Sequence, residues 1–155
     1  MWQSILCLLL LSGAPQADAV FKKEMAPLQG AVNAAVVATG ATVFTDPKAT
    51  HLDNYGVIVV VEVMLEPPPS PAILFSPKTD TVKVAVAQRY SDLKSRVSEL
   101  LKQQITKAES IGPNESMAII VHLVNATRAD VPDLPAQLVV SIKKSDPTRV
   151  SVKEF

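Results

Sequence analysis

The stretch "NYGVIVVVEVML", Asn54 to Leu65, decides the fold. Valine and isoleucine dominate it, the turn-forming triplet Asn54-Tyr55-Gly56 opens it, and prolines follow it. This composition is typical of a buried strand, so we predict a strand over Val57–Leu65. Its single charged residue is Glu62. Because side chains alternate across a strand, Glu62 interrupts one face, and the other face is wholly apolar.

A second apolar run, Met117 to Val124 ("MAIIVHLV"), has the same arrangement. One of its faces is wholly apolar, and the other is interrupted once, by His122. The two predicted strands therefore each carry one ionisable residue on an otherwise apolar surface.

The segment between the two strands predicts a long amphipathic helix over Thr81–Ile111. Apolar residues recur in it at steps of three and four, and Gly112-Pro113 is a helix stop. A strand–helix–strand connection favours parallel strands with the helix on one face of the sheet. We therefore expect the wholly apolar faces beneath the helix, and Glu62 and His122 together on the opposite face.

The remaining segments complete one predicted α/β domain over residues 20–155. Gln137–Lys144 and Arg149–Glu154 alternate like strands, the second at an edge. A short helix is predicted over 27–37, and short strands are predicted on either side of the turn-rich "TDPKA", residues 45–49. The predicted fold is a mixed sheet of about four or five strands with one long helix on one face.

The face away from the helix is the candidate interaction surface. Strand alternation places polar residues of the third strand there beside the two ionisable ones. The predicted surface residues are Glu62, His122, Gln137, Ser141 and Lys143.

The first nineteen residues have the pattern of a secretory signal peptide. Ile5–Leu11 is a short apolar run, and Ala17-Asp18-Ala19 is a small-residue cleavage site. The sole cysteine, Cys7, lies within the run, so a mature chain beginning near Val20 has no disulfide or thiol chemistry. We predict a periplasmic or secreted protein with no membrane span after removal of the signal.

The charge balance and the absence of known motifs exclude several classes of function. The chain holds 15 basic and 15 acidic residues, and this balance argues against nucleic acid as a partner. It carries none of the metalloprotease, nucleophile-elbow or phosphate-loop motifs. We therefore predict no metal or cofactor, and no catalytic residue.

Two functions remain open. The first is a non-enzymatic binding or structural module that contacts an unknown protein or envelope component through the open sheet face or an edge strand, homo-oligomers included. The second is a hydrolase or metal-dependent enzyme using Glu62 and His122. A pair without a third partner favours the first.

Several strings resemble a group of uncharacterised secreted bacterial proteins. They are "HLDNYGVIVVVEV", "IGPNESMAIIVHL" after a long helix, and "LVVSIKKSD". That group has a glycine–aromatic–glycine turn before its aliphatic strand, where this chain has Asn54, and often an aspartate where it has Asn114. The resemblance implies an α/β fold and an exported location, and it implies no chemistry.

Overall fold

The computed structural model describes residues 14–66, 80–124, 131 and 134–155, with side chains from residue 20. The elements are α1 (Ala14–Val37), β1 (Thr42–Leu52), β2 (Gly56–Met64), α2 (Asp80–Ile105), β3 (Ser116–Val124), β4 (Gln137–Lys143) and β5 (Asp146–Glu154). The five strands lie in chain order; β2 and β3 are parallel, and the other neighbours are antiparallel. The predicted α/β fold with a mixed sheet is confirmed. No helix in these ranges is long and apolar enough to cross a membrane.

The core lies between the sheet and the two helices. Val57, Val59, Val61 and Val63 of β2 are each at most 1% exposed. Alternate residues of β3 and β4 join them, as do stripes on both helices, so the wholly apolar strand faces lie beneath the helices as predicted. The helix stripes comprise Leu28, Val32 and Val36 of α1 with Val86, Leu93, Val97, Leu101 and Ile105 of α2.

Helix α2 ends at Ile105, six residues before the predicted end at Ile111. The amides of Lys107 and Ala108 both donate to the carbonyl of Gln104, which closes the helix in a turn. The Lys144 ammonium then donates to the carbonyls of Ala108 and Ile111. The helix does not continue here, because tertiary hydrogen bonds satisfy the carbonyls that would otherwise accept from a further helical turn.

Helix α1 is much longer than the predicted 27–37, since it begins at Ala14. Pro27 lies inside it rather than at its start. Met25 and Leu28 both pack in the core, and the free energy of this packing outweighs the cost of the helical hydrogen bond that proline cannot donate. Residues 14–19 of α1 fall within the predicted signal peptide, and residues 1–13 lie outside the described ranges.

Strand β1 corrects the prediction of two short strands around "TDPKA". It is one edge strand of 11 residues whose pairing with β2 shifts between Val43 and Thr45 and again between Thr45 and Lys48. Pro47 lies in the irregular part. An edge strand tolerates proline there because an irregularity removes the need for a donated hydrogen bond.

The turn before β2 sets how closely β2 and β3 approach. Asn54 has φ 63° and Gly56 has φ 112°, both in a region that favours glycine. A Cβ at Gly56 would collide with the Ser116 carbonyl oxygen, and the Ser116 amide donates to the Tyr55 carbonyl at 2.6 Å. This tight contact fixes the start of the β2–β3 register.

Candidate functional site

The candidate site is the sheet surface that faces away from both helices, here called the open face. It consists of alternate residues from all five strands, which the registers align in rows across the sheet. Its members include Thr45, Lys48, Thr50, Ile58, Val60, Glu62, Ala118, Ile120, His122, Gln137, Val139, Ser141, Lys143, Ser151 and Lys153.

The middle row of the open face is apolar at its centre and cationic at both ends. Its order is Lys48, Val60, Ile120, Val139 and Lys153, one residue from each strand. Val60 is 37% exposed, and Ile120 and Val139 are half-buried. With strands about 4.8 Å apart, the two lysine backbones lie about 19 Å from each other.

The rows beside the middle row differ in polarity. On one side, Ile58 and Ala118 extend the apolar area, and Ser141 follows in register. Ala118 is only 2% exposed, so it adds almost no accessible surface. The accessible apolar centre of the open face is therefore the middle row, with Ile58 beside it.

The polar row holds the two residues that the sequence singled out. Glu62 is in register with His122 on the neighbouring parallel strand, and His122 with Gln137. The Thr45 hydroxyl donates a hydrogen bond to the Glu62 carboxylate from the other side. Among the described side chains, no ion pair joins Glu62 to His122, so the carboxylate is oriented by Thr45 rather than by the imidazole.

The five predicted surface residues line one face without forming one cluster. Gln137 is beside His122, but Lys143 lies six residues further along β4, which is about 20 Å at strand rise. Ser141 lies between them, in register with Ala118. Within the described residues, no group of three or more histidine, cysteine, aspartate or glutamate side chains is placed to hold a metal ion.

Sequence reasoning missed the contribution of β1 to the open face. Thr45 and Lys48 are three residues apart, so a strict period of two assigns them to opposite faces. The irregularity at Asp46 and Pro47 brings both to the same face. The proline inside a strand-like segment was the available signal.

The exposed edge strand β5 is fastened to α2. The Tyr90 hydroxyl donates to the Glu154 carboxylate at 2.6 Å, and the Lys94 ammonium lies 3.1 Å from the same oxygen. Burial and the neighbouring carboxylate raise the pKa of Tyr90. The hydrogen bonds from Tyr90 and Lys94 outweigh burial and lower the pKa of Glu154. These contacts hold the end of β5, and hence Lys153, in place.

The chain matches no protein-family model, no curated protein and no solved structure. The resemblance to secreted bacterial proteins therefore stays a prediction. The function is inferred from the geometry of the open face.

Proposed function

We propose that the protein is an exported, non-enzymatic binding module whose open face contacts a partner protein or envelope component. The middle row, with three apolar residues between Lys48 and Lys153, is the observation that carries the proposal. A contiguous apolar area rimmed by polar groups is the usual composition of a protein-binding surface.

The chemistry of the middle row describes the partner. Val60, Ile120 and Val139 would lose water on contact with another apolar surface, which favours association. Lys48 and Lys153 would attract acidic groups on either side of that surface and fix its orientation. The expected partner therefore presents an apolar strip flanked by carboxylates about 19 Å apart.

Export is supported by the sequence of the first nineteen residues. The apolar run Ile5–Leu11 precedes the small residues of a cleavage site, and the chain after Cys7 contains no further cysteine. Sequencing the amino terminus of the exported protein tests this part of the proposal. A terminus near Val20 agrees with it, and an exported form that retains Met1 contradicts it.

A matched pair of valine variants tests the binding surface. Val60→Lys places an ammonium in the apolar centre, whereas Val84→Lys changes a valine of α2 that is 69% exposed on the helical layer. A partner is captured from envelope extract with the wild-type chain, purified, and titrated with each variant. We expect Val60→Lys to weaken binding by tenfold or more, on the order of a hot-spot loss, and Val84→Lys to leave it unchanged. Equal effects would contradict the proposal.

A second copy of the chain is the other occupant that the open face could take. Sedimentation of the wild-type chain over a range of concentrations separates the two cases. A monomer at all concentrations supports a different partner. A dimer that Val60→Lys dissociates and Val84→Lys preserves would make the protein a self-associating module.

The pair Glu62 and His122 offers the alternative function of a hydrolase or metal-dependent enzyme. One observation supports it: the Thr45 hydroxyl orients the Glu62 carboxylate, which lies in the same row as His122. We propose that neither residue is catalytic. Measuring the metal content and the partner affinity of the variants Glu62→Gln and His122→Gln tests this. Stoichiometric Zn²⁺ in the wild type, lost in both variants, would favour the enzyme.

A further inference from the structure

A cavity of about 320 Å³ lies on the helical side of the sheet, away from the open face. It opens between the first half of α1 and the turn that follows α2. Its floor is apolar and belongs to the core, since Leu28, Val57, Ile111 and Met117 are all nearly inaccessible to water. The volume is at the lower end of the range for small-molecule pockets.

The wall of the cavity is held by hydrogen bonds from two sides. The Glu24 carboxylate accepts from the amides of Glu109 and Ser110, at 2.7 Å and 3.2 Å, and from the Ser110 hydroxyl. Partial burial opposes these bonds, but they prevail and lower the pKa of Glu24. The Lys144 ammonium donates to the carbonyls of Ala108 and Ile111, each at 2.6 Å. The cavity is therefore preformed.

Two lysine side chains at the cavity can receive an anion. Lys23 and Lys107 both line it, and across the described part of the chain neither side-chain ammonium makes a hydrogen bond or ion pair. The Glu24 carboxylate is already occupied by three donors. Glu24 and Glu109 formally balance the two lysines of the lining. The Glu24 carboxylate keeps its charge but is held at the wall by its donors, so the two lysine ammonium groups without a partner are the cations available to a ligand at the rim.

We propose that this cavity binds a free aliphatic carboxylate of medium chain length. The alkyl chain lies against the apolar floor, where Met25 and Met117 can adapt their flexible side chains to it. The carboxylate lies at the rim, between Lys23 and Lys107. The limited volume excludes a long acyl chain and suits one molecule taken from solution rather than a bilayer.

Calorimetric titration of the full chain with butyrate, hexanoate, octanoate and decanoate, below their micelle concentrations, tests the ligand class. We expect one site, with affinity rising about fourfold for each added methylene until the cavity is full. Octanol, which lacks the charge, should bind at least tenfold more weakly than octanoate. Octanoate without saturable binding, or affinity independent of chain length, would overturn the proposal.

Lysine variants test the position of the carboxylate. The double variant Lys23→Gln with Lys107→Gln should weaken octanoate binding about tenfold and leave octanol binding unchanged. Lys22→Gln is the matched control, because Lys22 is adjacent and exposed but does not line the cavity. Equal losses in the control and the double variant would overturn the assignment of the rim.

A cavity-filling variant tests where both ligands bind. Ala108→Phe, which occupies the cavity, should abolish binding of octanoate and octanol, and a thermal melt establishes that the variant folds.

Discussion

The two faces of the sheet are built from the same strands and similar residues, yet one lies beneath the helices and the other faces away from them. Val59 and Val60 are consecutive valines of β2; Val59 is 0% exposed beneath the helices, whereas Val60 is 37% exposed on the open face. The apolar character of the strand therefore supplies a core on one side and a proposed contact surface on the other. Coverage by other elements distinguishes the two faces, and composition alone does not.

Among the variants that do not bury a new charge, the largest expected effect is on the covered side. Leu93→Ala in α2 should lower the free energy of unfolding by about 3–5 kcal/mol, because it removes fully buried methyl groups and leaves a cavity. Arg96→Ala, on the exposed side of the same helix, should cost about 0.5 kcal/mol or less. Urea denaturation measures both, and a larger loss for Arg96→Ala would show that α2 presents its other face to the sheet.

The next largest effect concerns the register on which both faces depend. Gly56→Ala should cost about 2–3 kcal/mol, because the new Cβ collides with the Ser116 carbonyl and φ is positive. Gly30→Ala in α1 is the control: a Cβ there meets nothing within 4 Å, and alanine favours helix, so we expect about 0.5–1 kcal/mol of stabilisation. Thermal or urea unfolding compares them. A tolerated Gly56→Ala would mean that β2 and β3 approach less closely.

A conservative pair in β3 sharpens the comparison of the faces. Ile119→Val deletes a methyl group from the covered face, where Ile119 is 0% exposed, and should cost about 1–1.5 kcal/mol. Ile120→Val makes the same deletion on the open face and should cost about half of that or less. Matching losses in urea denaturation would indicate that the open face is packed as tightly as the core.

The smallest expected effect is electrostatic and depends on pH. Glu24→Gln should cost about 1 kcal/mol near pH 7, since three hydrogen bonds to a carboxylate weaken. The folded pKa of Glu24 is lowered, so this contribution is fully present above a pH of about 5 and is lost as pH falls through about 4.3 to the lower folded value. Urea denaturation from pH 7 to pH 3 measures it. A gap between variant and wild type that widens in acid would contradict the assigned contacts.

The sequence predicted the elements whose signals are periodic. The β2 and β3 strands, the α2 stripe and the side of the sheet that carries Glu62 and His122 all followed from alternation and from the crossover rule. Those signals are local, and burial of the same apolar residues stabilises the elements that they predict. The buried core consists of the alternate strand residues and the helix stripe that the apolar pattern indicated.

The elements that sequence missed depend on contacts made far along the chain. The end of α2 is fixed by Glu24 and Lys144, which come from α1 and from the turn after β4. The continuity of β1 depends on a pairing with β2 that absorbs Pro47. Lys48 was missed as part of the open face for that reason, and no local pattern reveals the cavity between α1 and α2.

The unfolding free energies of Val59→Asp and Val60→Asp test most directly whether one face of the sheet is covered and the other open. The two variants place the same charge at adjacent positions of one strand. We predict that Val59→Asp loses more than about 4 kcal/mol or fails to fold, because the carboxylate is buried without a partner. Val60→Asp should lose about 1 kcal/mol, within the range of strand propensity. Equal losses for the two variants would contradict the account.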